Sequence, residues 1–126
     1  KLTKTNQRKF LKNYSSLGRI DFVLVDKQTR KPHGTFSLTN IFSNRPEIGK
    51  LLGTKELRGK GVAYRATKAL LSFAFRELNL KKVYAITKPG NISNNRLNQK
   101  LGFKIIGGEK INSRKFIIMT LKNNLI

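Results

Sequence analysis

Two glycines set among basic residues, in the stretch ELRGKGVA at residues 56–63, stand between a short apolar run and the longest helical-period segment of the chain. A strand, a glycine loop and a helix start in that order leave the chain few ways to fold. From residue 61 to 78 the apolar residues Val62, Ala66, Ala69, Leu70, Phe73 and Ala74 recur at three-and-four spacing, which predicts a helix with that stripe turned inward. A helix start carries unpaired N–H groups and the positive end of the helix dipole, and glycines let backbone wrap closely around an anion placed there. Arg58 and Lys60 add charge. The loop is no P-loop, because no Gly-Lys-Ser/Thr follows, and it lacks the third glycine of a dinucleotide fingerprint. Taken alone, it fits both a phosphate cradle and a plain tight turn with solvated basic side chains.

The remaining segments alternate in type. Residues 2–14, LTKTNQRKFLKNY, offer Thr3 or Thr5 as a helix cap and place Phe10, Leu11 and Tyr14 on one helical face. IDFVLVD and TFSLTNIF alternate in hydrophobicity around the turn-rich DKQTRKPHG and predict an antiparallel hairpin, with His33 as a turn residue. NRPEIGKLLG reads as turn residues followed by a strand carrying Ile48, Leu51 and Leu52, where Gly49 marks a bulge or a close backbone approach. KKVYAITK is a β-branched and aromatic strand ended by PGN. NISNNRLNQKLGF predicts a helix capped by Asn91, with Ile92, Leu97 and Leu101 inward and Gly102 ending it in a left-handed turn. FKIIG and RKFIIMTL close the chain as strands around the turn GEKINS. The sum is an α/β (α+β) layering without repeats or linkers.

Composition bounds the chemistry. A chain of 126 residues, 38% hydrophobic, suits a single folded domain over residues 1–126. Against 27 Lys and Arg stand six acids, a formal net charge of +21 that draws in anionic partners by long-range steering. There is no cysteine, which excludes disulfides, thiolate metal sites and a cysteine nucleophile and is compatible with a cytoplasmic setting. With His33 as the only histidine, no metal site is expected, and a Ser-His-Asp triad would have a single base to draw on. No apolar run approaches the roughly 20 residues of a membrane span, so no membrane partner is expected. The chain begins with Lys1 and shows no signal-peptide pattern.

Two motifs add a resemblance. RGKGVA fits Arg/Gln-x-x-Gly-x-Gly/Ala, with Arg58, Gly61 and Ala63 at the defining positions, and is similar to the acetyl-CoA pyrophosphate loop of the GNAT N-acetyltransferases. NISNNRLNQKLGF resembles that superfamily's second signature, an Asn-led helix running into a Leu-Gly-Phe turn. The motifs stand in the family's order, and the resemblance runs from about residue 20 to 121. EIG ahead of the loop and the KLGF ending look most like the branch of ribosomal-protein N-terminal and amino-sugar-nucleotide acetyltransferases. The resemblance implies a mixed, mostly antiparallel sheet with helices on both faces, splayed between the strands at 47–53 and 82–88. It also expects a strand and a helix ahead of the first helix read here, which this sequence lacks, so a truncated N-terminus or an open acceptor side follows.

It further implies an N-acetyltransferase that moves an acetyl group from acetyl-CoA directly to a primary amine, without metal. The N–H of Leu51 would meet the thioester oxygen, an oxyanion-type contact. Leu52 and Gly53 would line the pantetheine arm. The amides of Gly59, Lys60, Gly61, Val62 and Ala63, with Arg58, would hold the pyrophosphate. Asn91 would bond the pantetheine amide, and Arg96, Asn98 or Lys100 would reach the CoA end of the site. Glu47 matches the catalytic glutamate of several members as a base for the attacking amine, although a strand-end ion pair would explain it too. Where many members place a proton-donating Tyr this chain has Asn98, which can hydrogen-bond the CoA sulfur but cannot protonate it. Tyr84 and Tyr64 are alternative donors, each also explained by packing.

The charge exceeds what one anionic cofactor needs, so an anionic acceptor is expected: an acidic protein N-terminus, a nucleotide-linked amino sugar or a ribosome-bound substrate, met by a monomer or homodimer. The competing class is a basic nucleic-acid-binding module without catalysis. It predicts aromatic residues exposed for stacking, whereas the Phe residues here fall mostly on inward phases.

Overall fold

Alternation of apolar and polar side chains builds β1 (Ile20–Val25), and β2 (Pro32–Thr39) returns antiparallel to it, with Phe22 opposite Phe36. The computed structural model describes residues 18–52 and 61–124, so the helix expected near the start lies outside the described residues. Asp26 shapes the turn. Its Oδ1 accepts the N–H groups of Gln28 at 2.8 Å and Thr29 at 2.9 Å, the local bonding that makes Asp a turn former. His33, expected within the turn, is instead the second residue of β2, its Nε2 3.8 Å from Asp26 Oδ2.

β3 (Glu47–Leu52) pairs antiparallel with β2 in unbroken register. The bulge expected at Gly49 is therefore absent. Gly49 answers the other expectation, a close approach, since a Cβ there would stand 2.7 Å from Ser37 Oγ on the opposite strand. β4 (Lys82–Thr87) runs parallel to β3, and the two share one register pair, Glu47 with Tyr84. β5 (Lys104–Ile111) and β6 (Arg114–Lys122) form a hairpin that joins β4 through β6, giving the sheet order β1-β2-β3-β4-β6-β5. Their turn is only Asn112–Ser113, both at positive φ (50° and 68°), so the strands consume most of the GEKINS stretch expected to be turn. Cross-strand pairing extends β5 further than its local propensity suggests.

α1 (Val62–Ser72) continues into a π-helical turn at Phe73–Glu77, closed by the Leu78 N–H donating to Phe73 O at 3.2 Å. Its inward face is rotated from the expected stripe: Thr67, Leu70, Leu71, Phe73 and Ala74 are buried and Ala69 is exposed. Thr67 tolerates full burial because its hydroxyl donates to Ala63 O at 2.6 Å. The wider π turn then shifts the helical phase at its C-terminal end. α2 (Ile92–Lys100) also departs from expectation. Ile92 is exposed, Leu97 and Leu101 are partly covered, and the buried positions are Asn95 and Asn98. Gly102, at φ 106°, ends α2 in the left-handed region as expected.

The core lies on one face of the sheet. Phe73 meets Phe22 edge to face, ring centroids 5.3 Å apart at 77°, among Ile20, Phe36, Leu38, Leu70 and Val83. Register carries this face from Phe22 through Phe36 to Lys50, where α2 packs, so both described helices cover the same face. Among the described residues no helix is long and apolar enough to cross a membrane. Phe73→Ala is expected to destabilise the fold by about 3–5 kcal/mol, seen as a lower urea midpoint at constant slope. A midpoint within error of the parent's would remove the Phe22–Phe73 pair from the centre of the core.

Candidate active site

Each of the two central strands is bound to its outer neighbour and barely to the other. β3 stays paired with β2 as far as Leu52, and β4 stays paired with β6 as far as Thr87, whereas the Tyr84 N–H bonds Pro46 O at 2.8 Å and the strands then part. Beyond that point alternate N–H and C=O groups on their inner edges have no strand opposite and are free to meet a ligand. The gap opens into a cavity of about 1170 Å³, with Gly49 and Lys50 on one side and Ala85, Ile86 and Thr87 on the other. The start of α1 (Gly61, Val62, Ala63, Tyr64) and one side of α2 (Ser93, Asn94, Leu97, Asn98, Lys100) complete it.

Gly61 precedes α1 at φ 72°, ψ 10°, a left-handed conformation that suits glycine. A Cβ there would lie 3.2 Å from Arg65 Nη1. Among the described residues no side chain caps α1 and no acid stands in its first turn, and this helix start lines the cavity.

Asn95 and Asn98 of α2 are buried because each finds partners, and Asn94 beside them is half-buried. Thr87 Oγ1 donates to Asn95 Oδ1 at 2.6 Å, and Asn95 Nδ2 donates to Lys88 O at 3.2 Å. Lys50 Nζ donates to Asn94 Oδ1 at 2.9 Å and also to Asn98 Oδ1, while Asn98 Nδ2 points at Met119 Sδ, 3.8 Å away. Burial holds the Lys50 ammonium down at about 8, below an ordinary lysine. Lys100 Nζ lies over the Tyr64 ring, 4.9 Å from its centroid. Among the described residues the lining carries Lys50, Lys88 and Lys100 and no Asp or Glu.

Of the residues expected to bind or react, the cavity brings together Gly61, Val62, Ala63, Asn91, Asn98 and Lys100. Asn98 is fully buried. Arg96 is exposed on α2, outside the lining. Leu51 is exposed on the face of β3 opposite Lys50, and Leu52 is the last residue of that strand. Glu47 stands at the closed end of the split, outside the lining, accepting from Asn40 Nδ2 at 2.8 Å. Gly53, Arg58, Gly59 and Lys60 lie outside the described residues. Sequence reasoning passed over Lys50, Asn94 and Asn95. The signal for Lys50 was its phase, since it alternates with Ile48 and shares that strand's inward face.

Known proteins share this fold. The family profile of the acetyltransferase (GNAT) domain matches residues 1–104, and the chain belongs to this family of acyltransferase enzymes. It is 33% identical over 72 residues to a Bacillus subtilis (strain 168) protein assigned as a ribosomal N-acetyltransferase, YdaF. That match takes in 56% of this chain and 39% of the relative, so the chain spans about two fifths of the curated relative's length. Among solved structures, the ribosomal-protein-S5-alanine acetyltransferase of Vibrio fischeri superposes with a TM-score of 0.81 at 25% identity, over 96% of this chain and 70% of that one. A chimera of Vibrio cholerae spermidine N-acetyltransferase SpeG and hSSAT shares the fold, with a TM-score of 0.75 at 22% identity over 98% of this chain and 79% of that one.

Desolvation of Lys50 fixes the sign of a pH effect. Its folded value of about 8 lies below its unfolded one, so between about pH 8 and 10.5 the unfolded chain holds more protons and stability rises with pH. Below that window the burial penalty is fully present. Urea unfolding of the parent and Lys50→Met across it should show the parent gaining stability relative to the variant as pH rises, and a constant difference would mean Lys50 is not desolvated.

Proposed function

We propose that this chain, as one domain, transfers an acetyl group from acetyl-CoA directly to a primary amine, with acetyl-CoA held between the parted strands. The observation that carries the reading is the split itself: one register pair joins β3 to β4, and the gap beyond it leads to the start of α1. The donor set fits the group. A helix start without a cap and three lysines without a lining carboxylate suit an anionic ligand, and exposed inner-edge amides suit an amide-bearing arm.

In this reading the amides of Gly61, Val62 and Ala63 hold the pyrophosphate, together with Gly59, Lys60 and the charge of Arg58. Asn91 bonds the pantetheine amide, Leu52 and Gly53 line the arm, and Arg96, Asn98 and Lys100 serve the CoA end. The Leu51 N–H steadies the thioester oxygen as negative charge grows on it. When bound, acetyl-CoA supplies an activated acyl group. Glu47 takes a proton from the attacking amine, which must be neutral to have a lone pair. Strand alternation puts Glu47 and Leu51 on one face and Lys50 on the other, so the acceptor approaches from the Glu47 side.

The acceptor is anionic in this proposal, an acidic protein N-terminus, a nucleotide-linked amino sugar or a ribosome-bound protein. The net charge of +21 and the absence of acids among the described lining residues support it, as do relatives named for ribosomal proteins. A polycation such as spermidine would be repelled by that field.

Acetyl-CoA at a hundredfold excess over its Kd should stabilise the protein by about 2.7 kcal/mol, seen as a raised melting temperature. No shift at saturating concentration would end the reading. Gly61→Asp, which sets bulk and negative charge at the start of α1, should abolish that shift. Glu47→Gln should lower kcat by about a hundredfold or more and leave acetyl-CoA affinity intact, and an unaltered pH–rate profile would remove Glu47 as base. Across a panel of acidic peptides, nucleotide amino sugars and polyamines, the anionic acceptors should react faster, and a preference for polyamines would overturn the charge argument.

A further inference from the structure

We propose that Lys50 is the general acid of the acetyl transfer, giving the proton that the departing thiolate takes up. This rests on the acetyl-CoA reading of the cavity. The geometry of the nitrogen carries the argument. Nζ is tetrahedral, with Cε at one vertex and N–H groups directed at Asn94 Oδ1 and Asn98 Oδ1 at two more. One vertex remains. In the ammonium it holds a third N–H, and in the neutral amine it holds the lone pair, so this single position can release and regain a proton without disturbing either bond to α2.

The surroundings favour the donor role. Lys50 lines the cavity beside Phe36 of β2, and the titratable groups sharing that lining are Tyr64 from α1, Lys88 after β4 and Lys100 from α2. No described carboxylate lines the cavity to pin the proton on Lys50 by pairing, and its value of about 8 arises from burial. A cysteine thiol ionises near 8.5 and a simple alkyl thiol above that, so a donor of about 8 gives up its proton to the departing thiolate downhill while still titrating near neutral pH. At neutral pH Lys50 is mostly ammonium, the form that donates, and only a small fraction carries the lone pair that could attack the thioester.

The step balances. The acceptor nitrogen forms a bond to the carbonyl carbon and loses a proton to the base. The carbon–sulfur bond breaks with its electron pair going to sulfur, and sulfur takes the Lys50 proton. Neutral Lys50 is reprotonated from water.

Two variants separate the proton from the charge. Lys50→Arg keeps a cation that cannot be deprotonated near neutral pH, and Lys50→Met removes both. Free CoA serves as the first probe, its thiol titrated by thiolate absorbance in complex with each protein. The parent should raise the thiol's ionisation constant by a factor of ten or more relative to CoA in solution, and Lys50→Met should return it to the solution value. With an acceptor from the panel, both variants should lose about a hundredfold or more in kcat with acetyl-CoA affinity within threefold. The fall in parental kcat/KM above about pH 8 should be missing in Lys50→Arg. Equal thiol titration in the parent and Lys50→Met would overturn the proposal, as would a descending limb that survives in Lys50→Arg. So would an acetyl group found on Lys50 by mass spectrometry, which would make it a nucleophile. A parent that binds no acetyl-CoA would overturn the reading of the cavity as well, whereas transfer with an unmoved limb would overturn only the role of Lys50.

Discussion

The one register pair that joins β3 to β4, Glu47 with Tyr84, decides the layout of this molecule. Each central strand keeps a full ladder to its outer neighbour, so the sheet behaves as two three-stranded halves joined at one point. A twisted pair of parallel strands cannot stay in register once its partners carry it in different directions. The cost is a row of inner-edge backbone groups with no described strand opposite them. The start of α1 and the lysine-bearing side of α2 then stand around that row.

The second constraint is how α2 can be buried beside the split. Its inward positions are Asn95 and Asn98, and burying amides is tolerable only where every donor and acceptor is met. Asparagine suits this place because one short side chain offers an acceptor to one element and a donor to another. Asn98 does so between Lys50 of β3 and Met119 of β6, spanning the two halves of the sheet.

Much of the fold was legible because local pattern and tertiary pairing agree. The hairpin of β1 and β2, the strand at β4 and the left-handed stop at Gly102 follow from alternation, branching and glycine placement. The reading failed where polar residues were buried. Lys50 drew no reading within its apolar strand, and assigning Ile92 to the core turned α2 the wrong way, because periodicity weighs hydrophobicity and cannot see a hydrogen bond waiting across the cleft. Thr67 displaced the α1 stripe for the same reason, its hydroxyl being satisfied within its own helix. Gly61, which the motif singles out, takes the left-handed conformation and lines the cavity, since left-handed backbone leaves a mark in the choice of residue.

The bonds from Lys50 to Asn94 and Asn98 also have a mechanical meaning. They lie across a wedge whose apex is the Glu47–Tyr84 register pair, so one lysine of β3 ties that strand to the helix that follows β4. A charged donor grips a carbonyl roughly twice as hard as a neutral one. The tie across the wedge is therefore strongest in the ammonium, and both of its N–H bonds remain when the third proton leaves.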